Sequence, residues 1–593
     1  MKAILLLFRE LLTVLPHGAK RFINTYSTAL GVLAIFDAAA LGLLAAVVGP
    51  LAAGQDVTLP FFGVIEGQGL VVAIVSITLL MLMKGFISVA LLAWMTRRFS
   101  GFELEIGARL FDGYISAPWA ERLKKNSSDI VRYTDTSLFH AMSAFLFPGS
   151  TILGEVLSLI AIVTVLAVFQ PLIALVTVVY LGSISAMLYL WVARRARNAG
   201  RANLKHSLAT ARLVTEMVGA MKELTLRGKN DEVANVVRGT RSHATRARAS
   251  ILFLNQLPRF VLESAIVGGF IVVGLAAYAT GGPAEALTAV ALFALAGFRM
   301  APSAIRLMSV ASIMTSNAPH ARAVVDEITS LETAVASHEP ANRVPLADDP
   351  QTLELKGVGF RYPGASVDVL SDVSITLPFG SQIAIVGSSG AGKSTLVDVI
   401  LGLLEPSAGS ISIDGVPLAD VSESWRSRVG FVPQEVALFD ATIAQNVALS
   451  WNDDFDRERV VEALRRAQLL ETVEAREGGL DAVVGERGMS LSGGQRQRLG
   501  IARALYADPY VLVLDEATSA LDTETERAVA TAIGALAGKR TTTIVVAHRL
   551  ATVRNSDSIL FMRDGKVVSV GTFDELVDSV PEFARQAQLA GLM

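Results

Sequence analysis

The chain contains no cysteine in 593 residues. That excludes disulfides, thiolate nucleophiles and thiolate metal ligands, and leaves the compartment open. Charge is also scarce: 18% of residues are Asp, Glu, Lys or Arg, against 52% apolar, which is low for a soluble protein of this size. There is no excess of positive charge either. The net charge of −3 provides no electrostatic footprint for nucleic acid, so none is expected as a partner. The shortage is regional, with long apolar runs filling the first 315 residues and ordinary globular composition after them. The length exceeds that of one compact domain.

Six stretches reach the roughly 20 apolar residues needed to cross a bilayer: Ala29–Leu51, Leu70–Trp94, Ala141–Phe169, Leu172–Val192, Val261–Thr280 and Ala284–Ile313. Lys and Arg are missing from three of the connections, around Gln55–Gly69, Gln170 and Gly281–Pro283. They crowd the alternate ones, with Arg97, Arg98, Arg109, Arg122, Lys124, Lys125 and Arg132 in one loop and Arg194 to Arg248 in another. By the positive-inside rule both termini and the two long loops are expected to be cytoplasmic. The long loops carry helical patterning that extends the spans past the hydrocarbon. The opening run Met1–Phe8 is too short for a signal-peptide core. Ile4, Leu5, Phe8, Leu11, Leu12 and Leu15 fall at helical spacing, fitting a helix on the membrane surface or one packed on the first span.

Helical periodicity breaks near Ser330–Pro350, and beyond it the pattern becomes β, then α/β. The expected domains are 1–330 (six spans with an N-terminal elbow helix), a linker 331–350, and a soluble domain 351–593. In that domain the strand Gln382–Val386 runs into Gly387-Ser388-Ser389-Gly390-Ala391-Gly392-Lys393-Ser394-Thr395, and a helix Lys393–Leu404 follows. This is G-x-x-x-x-G-K-[ST] in its strand–loop–helix context. Glycines let the backbone curl around phosphates, the helix presents its positive end, Lys393 reaches the β/γ-phosphates and the Ser394 hydroxyl meets Mg²⁺. Val511–Leu514 and Thr542–Val546 read as further apolar strands, and ligands in such sheets sit at the carboxyl ends of strands, where Gly387, Asp515 and His548 fall.

About a hundred residues after the phosphate loop comes Leu491-Ser492-Gly493-Gly494-Gln495, and then Val511-Leu-Val-Leu-Asp515 with Glu516. With these motifs the chain, from about Thr352 onward, resembles the ATP-binding cassette ATPases. The resemblance implies a multidomain fold, an all-α six-helix transmembrane domain followed by an α/β P-loop ATPase cassette, with ATP and Mg²⁺ as cofactors. It further implies that Ser394, Gln434 and Asp515 serve Mg²⁺, Asp515 directly or through water, and that Glu516 positions or deprotonates the attacking water. Gln434 and His548 sense the γ-phosphate, Tyr362 stacks on adenine, and Ser519-Ala-Leu-Asp522 forms the D-loop. In such proteins Ser492, Gly493 and Gly494 act on the nucleotide of the partner's phosphate loop. One cassette per chain therefore implies a dimer, a homodimer being simplest and a heterodimer the alternative. Gly485-Glu-Arg-Gly488 resembles the exporter X-loop, and Pro118–Ser128 and Thr215–Leu224 resemble coupling helices, which as bare sequence also read as ordinary solvated turns.

Soluble ATPases sharing the Leu-Ser-Gly-Gly-Gln motif are excluded by the spans. An ATP-gated channel remains as a second class, and multidrug, peptide or lipid export as alternatives within the transporters. For cargo, Ile115–Trp119, Gln256–Glu263 and Ala294–Ser303 resemble bacterial lipid-linked oligosaccharide flippases, although Asp37 stands where a glutamate is usual. The resemblance implies an amphipathic, lipid-linked substrate, surrounding membrane lipids and a bacterial plasma membrane. Two arginines inside the last span, Arg299 and Arg306, share nearly one helix face and are candidate ligands for a pyrophosphate head group. The competing reading pairs them with Asp37 or Glu155, or has them snorkel, simply to hold the bundle. Arg259 and Glu263, four residues apart, are expected to pair with each other. The apolar stretch Leu59–Ile65 in the first external loop is a candidate companion for a lipid tail.

Overall fold

The computed structural model describes residues 2–52, 57–59, 63–65, 68–169, 171–337, 344–452, 454–485, 488–515, 541–547 and 550–592. Side chains at 37–70 and at some helix positions, Arg299 among them, are outside that description. The chain divides into two units: 1–117 with 124–337, and 118–123 with 338–593.

The first unit is helical because its sequence offers apolar runs with few breakers. Helix α1 spans Lys2–Val14, α2 Ala19–Ala52, and a short hairpin β1 (Val57–Leu59) with β2 (Gly63–Ile65) precedes α3, Gln68–Ser116. The hairpin takes up the ends of the Leu59–Ile65 stretch. With 49 residues, α3 is about 74 Å long at 1.5 Å per residue, more than twice a hydrocarbon core of about 30 Å. Most of its length therefore extends out of the bilayer, as the helical patterning of the loops implied. After α4 (Trp119–Arg122) and α5 (Ser127–Arg132), the chain runs as π-helix over Tyr133–Ser137 and His140–Leu146 before α6, Phe147–Phe169. The helices α7 (Pro171–Gly219), α8 (Met221–Leu226) and α9 (Asn230–Ala336) complete the unit. Helix α9 is two helices joined at Gly282, whose φ of 79 only glycine adopts freely. Pro283 follows it, so the break lies where the sequence separates the fifth and sixth spans.

Five helices among the described residues are long and apolar enough to cross a membrane. The expected first span falls on α2, whose second half lies outside the described side chains. Large apolar side chains such as Leu79, Phe86, Val89 and Ile271 are exposed on these helices, as lipid-facing surface demands. The largest buried cluster among the described residues of this unit forms where Leu11, Met95, Ile106, Leu110, Phe145, Leu146 and Val324 meet, and smaller ones lie between the spans around Leu188 and Leu181. Helix α1 contributes Ile4, Leu7, Leu11 and Val14 to it while leaving Leu5 and Leu6 exposed. Its buried stripe packs on the π-helical stretch and α9 (Phe8 against Phe145, Glu10 paired with Arg322 at 2.6 Å).

In the second unit the four-stranded antiparallel sheet runs in the order β4 (Leu370–Pro378), β3 (Thr352–Phe360), β6 (Ala408–Ile413), β7 (Val416–Pro417). A six-stranded sheet is ordered β12 (Lys566–Gly571), β11 (Ser558–Arg563), β5 (Gln382–Gly387), β10 (Thr542–Val546), β9 (Val511–Asp515), β8 (Val429–Val432). All its neighbours pair in parallel except β12 on β11. The central strands read as unbroken apolar runs because both faces are covered. Trp119 and Ala120 from the Pro118–Leu123 segment pack against this unit's core beside Leu346 and Phe379. In the segment expected as a linker, 331–350, α9 continues to Ala336. From Val344 the backbone is pinned, Val344 N donating to Asp420 O at 3.0 Å and Leu346 N to Ser424 Oγ at 3.1 Å.

Candidate functional site

Strand β5 ends at Gly387, and the loop after it leads to helix α10, Lys393–Ile400. The glycines are there for shape. A Cβ at Gly387 would lie 2.3 Å from the Met562 carbonyl oxygen, and one at Gly392 would lie 2.9 Å from that of Val369. Gly390 and Gly392 have φ of 81 and 95, left-handed values that disfavour any other residue. The loop, from Ser388 and Ser389 through Ala391, wraps the start of α10 so that Lys393 Nζ reaches back to the carbonyls of Gly387 (2.8 Å) and Ser388 (3.0 Å). A buried ammonium at the centre of a glycine-rich loop, on a helix N-terminus, fits a polyphosphate. Ser394 is exposed beside it. Thr395 Oγ1 lies 3.2 Å from Tyr362 Oη, and the Tyr362 ring stands edge-on to Phe360 at 5.0 Å. Tyr362 is therefore held against the phosphate loop. The helix α10 stops at Ile400, short of the expected Leu404, because Gly402 turns to φ 70 and the amides of Leu403 and Leu404 fold back onto Asp398 O.

Strand β9 pairs with β10, which pairs with β5, so Asp515 and Gly387 end strands two positions apart at the same edge of the sheet. Gln434 follows β8, whose Val432 is aligned with Leu514. The residues matched to phosphate loop, Mg²⁺ carboxylate and Q-loop thus share the carboxyl ends of the strands, and Tyr362 reaches the start of α10 from the antiparallel sheet through Thr395. Glu516, the D-loop 519–522 and His548 lie outside the described residues, as do Glu486 and Arg487 of the X-loop.

The motif Leu491–Gln495 opens a helix. Ser492 caps α11 (Gly493–Tyr506): its Oγ accepts from Gln495 N at 3.2 Å, and Gln495 Oε1 accepts from Ser492 N at 2.9 Å. The motif is thus a capping box that leaves the Gly493 and Gly494 amides at a positive helix end, suited to an anion.

Two features of the site escape motif reading. Asp398, on α10, has its carboxyl pushed up to about 6, first by burial and then by the charge of Asp515. The other is a support beneath the Gln434 loop. Asn446 is buried, with Nδ2 donating to Phe439 O (3.0 Å) and Thr442 O (3.1 Å) and Oδ1 accepting from Phe439 N (3.0 Å). Arg503 donates to Asn446 O and Ala437 O, both at 2.9 Å. A polar residue on an otherwise apolar helix face was the available signal for Asn446. Nothing in the local sequence marks Asp398, whose shift arises first from burial and then from the charge of Asp515, far along the chain.

Asp398 provides a test of the site's electrostatics. Its folded pKa lies above its ordinary 3.8, so the stability it confers is present below about pH 4 and lost as pH rises to about 6. The Asp398→Asn variant is expected to raise the cassette's stability at neutral pH by about 1 kcal/mol, discounted for partial exposure, and by almost nothing at pH 4. Thermal melting of the nucleotide-free protein at both pH values measures this.

In the membrane unit, Arg306 Nε donates to both Glu155 oxygens at 2.8 Å and its Nη2 to Ser303 Oγ at 3.0 Å. Arg259 Nε meets Glu263 Oε1 at 2.9 Å, the pairing their spacing implied. The Arg299 side chain lies outside the described ones.

A phosphate-binding loop and a capped Ser-Gly-Gly-Gln helix in one α/β unit, together with helices built to cross a bilayer, define an ATP-driven membrane transporter. Residues 370–519 match the family described as ABC transporter. The chain belongs to this family: it is 32% identical over 532 residues, 86% of each chain, to the ATP-dependent lipid A-core flippase of Chromobacterium violaceum. It is also 33% identical over 519 residues, 85% of this chain and 84% of the other, to the protein of that name from Bordetella avium. A solved structure titled as a bacterial Atm1-family ABC exporter with ATP bound superposes with a TM-score of 0.75 at 22% identity, covering 97% of this chain and 99% of that one. The fold is that of an exporter half-transporter, an integral membrane protein whose cassette hydrolyses ATP to power transport.

Proposed function

We propose that the protein is a flippase that uses ATP to move an amphipathic lipid with a large polar head group out of the cytoplasmic leaflet of a bacterial inner membrane. The observation carrying this reading is the extent of the likeness to lipid A-core flippases: 86% of the chain is more than the cassette holds, so it takes in membrane helices where cargo is selected. The finer reading is a lipid-linked oligosaccharide, resting on the resemblance of Gln256–Glu263 and Ala294–Ser303. In this reading six spans per chain, α2 supplying the first, place both termini in the cytoplasm. Two copies pair so that Ser492, Gly493, Gly494 and Gln495 of one face the Lys393 loop of the other, with Tyr362 on adenine. Ser394, Asp515 and Gln434 serve Mg²⁺, and Glu516 and His548 serve hydrolysis.

Arg299 and Arg306 carry the head-group contact in this proposal. Glu155 already neutralises Arg306, so a pyrophosphate must draw that guanidinium from the carboxylate, and the same pair also fastens α6 to α9. Replacing both arginines with Gln separates the roles. Stimulation of ATP hydrolysis by a polyprenyl-pyrophosphate oligosaccharide is expected to fall at least about tenfold, with basal hydrolysis and melting in detergent retained. Loss of folding, with stimulation intact in the folded fraction, assigns the arginines to packing instead. ATPase assays in liposomes carrying either lipid A-core or the pyrophosphate-linked lipid distinguish the two cargoes. Passage of lipid down a gradient without ATP turnover supports the gated-channel alternative and contradicts the proposal.

A further inference from the structure

The chain passes between its two units three times, at Ala117/Pro118, Leu123/Lys124 and Ser337/His338. Residues beside the first two passages converge on one carboxylate of the membrane unit, carried by the helix that leads to the third. Tyr114 Oη, three residues before the first passage, donates to Glu327 Oε1 at 2.7 Å. Lys125 Nζ, just after the second, donates to Glu327 Oε1 at 2.9 Å and Oε2 at 2.8 Å. Glu327 itself lies on the last three turns of α9, ahead of the third passage.

The three groups are not equally wet. Glu327 is 6% and Tyr114 4% exposed, and the Lys125 side chain 30%. A buried carboxylate is held by charge-assisted bonds that shorten and strengthen away from water, and removing one partner leaves an uncompensated buried charge. The neighbouring ion pairs on α9, Arg322 with Glu10 and Arg109 with Glu332, are far more exposed and are individually weak. Glu327 is therefore the stiff point of this end of the helix bundle.

We propose that Glu327 is a positioning residue for the coupling of ATP hydrolysis to movement of the spans. It joins the end of α3, the start of the chain leading into α5, and the end of α9 into one node. A nucleotide-driven displacement of the cassette, delivered through any of the three passages, then moves these helices together. Without the node the passages move separately, and hydrolysis continues without the same response in the membrane helices. The inference rests on ATP-driven transport by this family and not on the identity of the cargo.

Hydrogen exchange of the full-length protein in nanodiscs, with and without Mg²⁺ and a non-hydrolysable ATP analogue, tests it without any transported substrate. In the wild type the nucleotide is expected to alter exchange both in the cassette and in α3, α6 and α9. In Glu327→Gln the cassette response and basal ATP hydrolysis persist, while the response of the membrane helices falls by roughly two- to thirty-fold. Tyr114→Phe removes only a hydroxyl and Lys125→Met only a charge, so these two carry the test if Glu327→Gln fails to fold. Lys125→Arg keeps the charge and is expected to restore transmission. Three results overturn the proposal: membrane helices that respond as in the wild type in all the folded variants, a wild type whose membrane helices do not respond, or cassette and membrane responses lost together with a fall in melting temperature.

Discussion

Replacing Glu516 with Gln is expected to abolish steady-state ATP hydrolysis, by a factor of about 10² to 10⁴, with nucleotide binding unimpaired. Glu516 comes next in sequence after Asp515, and Asp515 ends β9 at the edge of the sheet where β5 delivers the phosphate loop. Gln keeps its size and hydrogen-bonding reach but can neither accept the proton of the attacking water nor bear the charge that orients it. The cradle built from Gly387, Gly390, Gly392 and Lys393 is untouched, so affinity persists. With binding intact and chemistry blocked, ATP accumulates between paired cassettes and holds them closed. The measurement is phosphate release alongside retention of labelled ATP on the purified protein; turnover close to wild type removes Glu516 from this role.

The second large effect concerns the dimer. Lys393→Ala alone and Ser492→Ala alone are each expected to be nearly inactive, because every site in either homodimer lacks one half. Co-expressed in equal amounts, half of the dimers are mixed, and one site of each mixed dimer combines an intact phosphate loop with an intact Ser492 helix. Activity then returns to at most about a quarter of the wild-type sites. The physical reason is the capping geometry: Ser492 and Gln495 satisfy each other's backbone amides, leaving the Gly493 and Gly494 amides to an external anion. ATPase rates of doubly tagged, sequentially purified mixed dimers, in which up to about half of the sites are intact, check this. Complementation absent from correctly folded mixed dimers indicates sites completed within single chains.

What the sequence made legible follows from where each constraint originates. The phosphate loop was readable because its conformation depends on glycine at fixed offsets, and the left-handed values at Gly390 and Gly392 are that dependence. The spans were readable because the bilayer imposes a length and a composition that few other environments demand. The Arg259–Glu263 pair was readable because it is local. Arg306 and Glu155 are 151 residues apart, and spacing alone left their pairing open until the geometry placed them 2.8 Å from each other. The Lys125–Glu327 contact, 202 residues apart, carried no sequence signal. Neither did the π-helical turns before α6, since one residue of extra winding leaves no periodic trace over so short a run. The Asp398 carboxyl belongs with these, for its burial, and the charge of Asp515 that adds to it, come from tertiary packing and not from its own helix.

The central claim, that hydrolysis in this cassette moves an amphipathic lipid across the membrane, is tested most directly by flipping in proteoliposomes. A lipid-linked oligosaccharide is placed in both leaflets, and the fraction of head groups open to a membrane-impermeant glycosidase is followed after ATP is added to the cassette side. The account requires that fraction to change with ATP and Mg²⁺, at a rate tied to phosphate release, and to stay constant with Glu516→Gln. A wild-type protein that hydrolyses ATP briskly while neither this lipid nor lipid A-core changes leaflet contradicts it.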